Sequence, residues 1–158
     1  MCLPTSTSTS DVTFRPARAA DVPRMVDLIA GANLPPAFVE EYLDGFIAAE
    51  RDGETIACGG VEMYAGSAVI RSVVVDDAAR GLGIGRRLAE LLMAHARAAG
   101  AKDLYLFTAD ALPFWQQCGF VEVTLEDWQD APRACWQYQF ISQNRSLMPD
   151  VHTMWRKA

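Results

Sequence analysis

Histidine is nearly missing from this 158-residue chain, and cysteine is sparse. His95 and His152 are the only histidines, and the cysteines at 2, 58, 118 and 135 form no C-x-x-C pair, which excludes a recognisable zinc site, so no bound metal is expected. The cysteines read as free thiols of a reducing compartment, and the expected localisation is the cytoplasm. Neither a basic segment nor an apolar one surrounds Met1 and Cys2, so no secretion or lipoprotein processing is expected. Positive charge is short as well: 14 Lys and Arg stand against 20 Asp and Glu, a formal net charge of −6. Such a field repels phosphate backbones and anionic lipid, so neither nucleic acid nor a membrane is an expected partner, and an anionic ligand must be held locally. No apolar run approaches the roughly 20 residues of a spanning helix. Core-forming residues are plentiful: 51% of the chain is hydrophobic and 22% charged, a balance that excludes collagen, coiled coil and extended disorder. The length suits one domain. Residues 1–11 are expected to be a mobile Ser/Thr-rich tail and 12–158 a single domain.

Along that domain, residues 12–16 alternate like a strand. Asp21 and Pro23 then introduce an amphipathic helix through Val22, Met25, Val26 and Ile29. Pro35 and Pro36 break it, and residues 38–43 read as a second short helix. Two strands joined by Asp52-Gly53, and a third after Ala65-Gly66, make an antiparallel meander over 46–75. From Arg80 the period becomes helical through Ile84, Leu88, Leu91, Leu92 and His95 until Gly100, and His95 on that face reads as a packed residue. A strand at 104–108, a helix at 112–118 and a strand at 120–123 follow. Residues 134–141 suit a helix, although Trp136, Tyr138 and Phe140 would equally suit a strand, and 151–156 read as a last strand.

The chemistry concentrates where the meander feeds the strongest helix. Val73, Val74 and Val75 lead through Asp76 and Asp77 into Arg80-Gly81-Leu82-Gly83-Ile84-Gly85-Arg86. Three glycines in five residues cost backbone entropy unless the chain must turn sharply or approach a ligand closely. The first N–H groups of a helix are unpaired and sit at the positive end of its dipole, so a pyrophosphate is the natural guest. A P-loop is excluded because Arg86-Arg87 follows the last glycine, and a dinucleotide fingerprint because Arg86 stands where its third glycine belongs.

Arg80-x-x-Gly83-x-Gly85 directly after an apolar strand resembles the acetyl-CoA motif of the GCN5-related N-acetyltransferase (GNAT) family, and the element order and Cys118-Gly119-Phe120 are also similar to it. The resemblance covers about residues 12–123. It implies an α/β (α+β) fold whose central sheet is mixed, mostly antiparallel and six- to seven-stranded, with flanking helices, so that 12–158 is one acetyltransferase domain. It further implies acetyl-CoA as co-substrate, with Arg80, Gly81, Leu82, Gly83, Ile84, Gly85 and Arg86 cradling the pyrophosphate. Val73, Val74 and Val75 would meet the pantetheine arm and thioester. Residues 60–75, Asn33-Leu34-Pro35 and Ser146-Leu147-Met148-Pro149 resemble a smaller subgroup encoded with arsenic-resistance genes and acting on amino-acid-like substrates. Met148 stands where that subgroup often has cysteine. The acceptor implied is a small amine or amino acid, including arsenic- and phosphorus-containing glutamate analogues, with Asn33, Ser72 and Tyr64 among its contacts and a homodimer as candidate assembly.

Amine acetylation needs a base, donors for the developing oxyanion and a route for the leaving thiolate. Glu62 is the candidate catalytic base, as a carboxylate within an apolar strand; the alternative is a solvated edge carboxylate. Arg71 suits bidentate capture of an acceptor carboxylate, and the alternative is an ion pair with Glu62 across the hairpin. The family often has a tyrosine where Trp115 stands, which leaves water, Tyr138 or Cys118 to protonate the thiolate, or unaided departure. That replacement also keeps open a second class of function, a non-catalytic acyl-CoA-binding regulatory module.

Overall fold

The computed structural model describes residues 11–158, so the tail expected over 1–11 lies, except for Asp11, outside the described residues. Its strands are β1 (Thr13–Pro16), β2 (Phe46–Arg51), β3 (Glu54–Tyr64), β4 (Ser67–Val75), β5 (Asp103–Thr108), β6 (Val121–Val123) and β7 (His152–Lys157). The helices are α1 (Val22–Gly31), α2 (Ile84–Ala98), α3 (Leu112–Gln117) and α4 (Trp136–Gln143). The seven strands are ordered β1-β2-β3-β4-β5-β7-β6. β4 runs parallel to β5 over residues 67–69 and 103–105, while the β1–β2, β2–β3, β5–β7 and β6–β7 ladders are antiparallel. The sheet is therefore mixed and mostly antiparallel, with flanking helices, as the resemblance implies. Both hairpin turns have positive φ at both central residues, Asp52 and Gly53 in one and Ala65 and Gly66 in the other, which suits the twist of the strands they join. No helix among the described residues is long and apolar enough to cross a membrane.

The chain divides into two compact units, with β3 and β4 contributing to both. One takes the described part of Met1–Gly60 together with Ser72–Glu90. Its core packs Met25, Leu28 and Ile29 of α1 against Val39, Phe46, Cys58 and Val74, the i, i+3, i+4 stripe of an amphipathic helix. Asp21 does not cap α1 through its side chain. It is instead held by Arg15 at 2.7 and 2.8 Å, by the Arg18 N–H at 2.8 Å and by the Thr55 hydroxyl at 3.1 Å, which pins the start of α1 to β1 and β3. The other unit takes Val61–Arg71 and Leu91–Ala158. It buries Val69, Tyr105, Trp128 and Cys135, with Tyr64, Phe107, Val123, Tyr138 and Trp155 packed around them.

Two local expectations fail. Residues 38–43 form turns leading into a 3-10 turn at Leu43–Gly45, because Phe38 sits at φ +63, outside right-handed helical space. His95 is exposed, since the buried stripe of α2 runs through Leu88, Ala89, Leu92, Met93 and Ala96, about 100° away from it.

Candidate functional site

The end of β4 and the turn after it form a candidate phosphate site within the first unit. Ser72 sits at φ +58 inside the strand, a left-handed conformation that costs a non-glycine residue on the order of 1–3 kcal/mol unless its surroundings enforce it. Beyond this kink Val74 packs into the core while Val73 and Val75 stay half-buried. Arg80 Nε then donates to the Val75 carbonyl at 3.4 Å, and Asp76 is held by Arg24 at 2.7 Å. Gly81 and Gly83 follow at φ +81 and +77, and a Cβ at either would meet nothing within 4 Å. The glycines are thus required by conformation, and the outer side of the turn is open. The α2 ladder begins with the Arg87 N–H donating to the Gly83 carbonyl at 3.1 Å, so the Ile84, Gly85 and Arg86 amides precede it. Gly85 lies inside α2 and needs no positive φ. This arrangement fits a pyrophosphate: amides at a helix start and a turn with no side chains in the way. Beside it runs a groove of about 140 Å³ lined by Leu28, Gly31, Ala32, Val74, Val75 and Arg80 with three aspartates. The cations nearby are solvated, Arg80 paired with Asp77 at 3.2 Å, and Arg86 and Arg87 with Glu90 at 3.5 and 3.6 Å.

Glu62, Tyr64 and Arg71 come together in the second unit. Arg71 Nη1 donates to Glu62 Oε2 at 3.1 Å, and the Tyr64 hydroxyl donates to Glu62 Oε1 at 2.5 Å. Their burial is decisive: the Glu62 and Arg71 side chains are 1% and 0% exposed, which rules out the solvated edge carboxylate and establishes the cross-hairpin ion pair. The Trp136 ring lies 5.6 Å from the Arg71 guanidinium carbon, a cation–π contact. Cys135, just before Trp136, accepts from the Tyr138 N–H at 3.3 Å and so caps α4. Burial pushes its thiol up to about 11, and the negative charge of Glu62 adds to the shift. It is a protonated structural cysteine at neutral pH.

Asn33 and Ser72 belong to the first unit. Asn33, exposed at φ +58, ends α1: its N–H donates to the Ala30 carbonyl and the Leu34 N–H to the Ile29 carbonyl, a Schellman pair that asparagine tolerates well. Trp115 is a core residue, packed edge-on against Phe114 and Phe120. The Tyr138 hydroxyl donates to the Leu125 carbonyl at 3.0 Å, and Cys118 is buried at the end of α3. Sequence reasoning weighed Trp136 as part of a helix or a strand and missed its seat over Arg71. The signal available was an aromatic residue opening a helix, and nothing local ties that helix to β4.

Residues 18–120 match the model of the Acetyltransferase (GNAT) family. An amino-acid acetyltransferase of Pasteurella multocida (strain Pm70) is 26% identical over 136 residues, covering 80% of this chain and 31% of that protein. N-acetylglutamate synthase from Neisseria gonorrhoeae, solved with coenzyme A and N-acetyl-glutamate, aligns with a TM-score of 0.77 at 20% identity over 92% of this chain and 35% of that one. Rv2747 from Mycobacterium tuberculosis, solved in complex with CoA, aligns with a TM-score of 0.76 at 22% identity over 92% of this chain and 99% of that one. At such identities these structures speak for the fold alone. The chain spans about a third of the length of curated relatives such as the Pasteurella protein.

Proposed function

The chain belongs to the GNAT family of acetyltransferases, and from that premise we propose that it is an acetyl-CoA-dependent N-acetyltransferase acting on the amine of a small amino-acid-like acceptor. The observation that carries the reading is the turn at Gly81 and Gly83, both at positive φ with open Cβ directions, delivering the first amides of α2 to one place. Arg80 to Arg86 would hold the pyrophosphate through that backbone, and Val73, Val74 and Val75 the pantetheine arm. When bound, the co-substrate supplies the activated acetyl group. The backbone N–H groups of β4 near the thioester would then face the oxyanion as it develops.

Arg71 is proposed to bind the acceptor carboxylate and Glu62 to receive the ammonium proton. A carboxylate would share the guanidinium with Glu62, and because the Trp136 ring covers that guanidinium, Trp136 must yield as the acceptor arrives. Arsenic- and phosphorus-containing glutamate analogues belong in the proposed acceptor range, since the subgroup resemblance points to them. The burial of Cys58, Cys118 and Cys135 as thiols supports action in a reducing compartment, the cytoplasm.

The test is CoA-thiol release across a panel of amino acids, simple amines and those glutamate analogues. Turnover confined to carboxylate-bearing amines is the expected result. Binding of CoA with no turnover on any acceptor would leave the non-catalytic acyl-CoA-binding module.

A further inference from the structure

Resting on the acceptor reading above, we propose that Tyr64 is the group that meets the acceptor amine, and that it relays the ammonium proton to Glu62. The argument begins with burial along one face of β3. Residues two apart on a strand share a face, and along this pair exposure rises from Glu62, at 1%, to a half-buried Tyr64. Glu62 is engaged on both oxygens, by Tyr64 on Oε1 and by Arg71 on Oε2, which fixes its carboxyl plane. A carboxylate with almost no accessible surface cannot itself receive a hydrogen bond from an arriving ammonium unless a neighbour gives way. A phenol accepts and donates through a single oxygen, so Tyr64 can take a proton on one side while releasing one on the other. Arginine, which only donates, cannot.

The transfer balances without a further reactant. An acceptor N–H donates to Tyr64 Oη; as that proton arrives, the phenolic proton moves along the existing 2.5 Å hydrogen bond to Glu62 Oε1. One N–H and one O–H bond break, and one O–H forms on each side chain. The amine is left neutral, the tyrosine unchanged and the carboxyl protonated.

Titratable and charged groups pack near Tyr64 from several elements. Glu62 lies on its own strand, and Arg71 on β4 reaches it through Glu62. Tyr105 on β5 and Cys135 before α4, in the same cluster, are both held protonated at neutral pH by burial. Tyr138 on α4 gives its hydroxyl to the Leu125 carbonyl, with Arg133 over its ring at 5.9 Å.

The experiment is a pH–rate profile of wild type against Tyr64→Phe, read by CoA-thiol release with a carboxylate-bearing amine that the wild type acetylates. Near neutral pH the variant should lose roughly 10²-fold in kcat, the usual scale of a positioned proton acceptor, with the acetyl-CoA KM unchanged. The deficit should close as pH approaches the pKa of the acceptor amine, because an amine already neutral needs no relay. Glu62→Gln should show the same pH signature, and the double variant should be no worse than either. A deficit of equal size at every pH would mark a packing loss and overturn the relay. So would a wild-type profile in Tyr64→Phe beside a damaged Glu62→Gln, since Glu62 would then act without Tyr64. If Tyr64→Phe does not fold, a fluorinated tyrosine introduced at position 64 keeps the ring and lowers the phenol pKa; an unmoved profile then overturns the proposal. Wild type inactive on every acceptor overturns the acceptor reading itself, and the relay with it.

Discussion

Glu62 and Arg71, nine residues apart in the chain, meet at 3.1 Å with side chains almost fully removed from water. Desolvating two charges costs several kcal/mol per ion, which their attraction repays only while both are present. The hairpin thus carries a pair whose members cannot be removed singly without leaving a buried charge.

Arg71→Ala is expected to lower unfolding free energy by about 3–5 kcal/mol in denaturant titration, the range for a broken buried pair. In the fraction that folds, KM for carboxylate-bearing acceptors should rise more than kcat falls, whereas Glu62→Gln should chiefly lower kcat. Arg71→Lys should rescue only in part, because an ammonium lacks the planar fork. Equal losses in both single variants, with none added in the double, would mean that the two residues act only as a structural unit.

Gly83→Val should abolish CoA binding in isothermal titration while the protein stays folded. A β-branched side chain at φ +77 is strained by about 1–2 kcal/mol and fills the open side of the turn. Arg80→Ala should cost less affinity, and the difference between it and wild type should fade as salt rises, since that guanidinium is solvated. Unchanged CoA affinity in folded Gly83→Val would remove the cradle.

Gly60→Ala tests close packing in the first unit. A Cβ there would lie 2.6 Å from the ring of Phe46, itself 1% exposed, so the ring must move within a filled core. The expected loss is about 1–3 kcal/mol, the usual cost of overpacking, and Phe46→Leu should recover part of it in the double variant. Additive losses in the denaturation midpoints would show that the two positions do not collide.

Asp21 should make the fold acid-sensitive. Arg15, through two hydrogen bonds, holds the Asp21 carboxyl well below the usual carboxylate range; burial opposes this, and the Arg18 N–H and Thr55 hydroxyl reinforce it. Because the folded pKa lies below the unfolded value, the contribution is complete above about pH 4 and is lost as pH falls from there through the folded value. Asp21→Asn should therefore be less stable than wild type at neutral pH and lose less on acidification to about pH 3. Parallel urea midpoints for the two proteins across that range would contradict it.

Hydrophobic period alone determined most of the elements here, because each strand and helix presents a core face at its own spacing: Met25, Leu28 and Ile29 on α1, or the nearly continuous buried run of β3. The phosphate turn was legible for a related reason. Left-handed φ is a local requirement, and glycines at 81 and 83 are its local signature. Where a local pattern competed with backbone constraint, as at residues 38–43, periodicity misled. The state of Glu62 and Arg71 was beyond local reading, since a carboxylate on a strand can face water or a cation, and only the hairpin partner and the Trp136 ring decide between them. Ser72 at φ +58 left no trace in its residue type, and Asn33 explained itself only once its amide was seen closing α1. Short-range dihedral preference and burial period are written residue by residue; burial of a charge, and the partner that compensates it, depend on atoms brought together from distant stretches of chain.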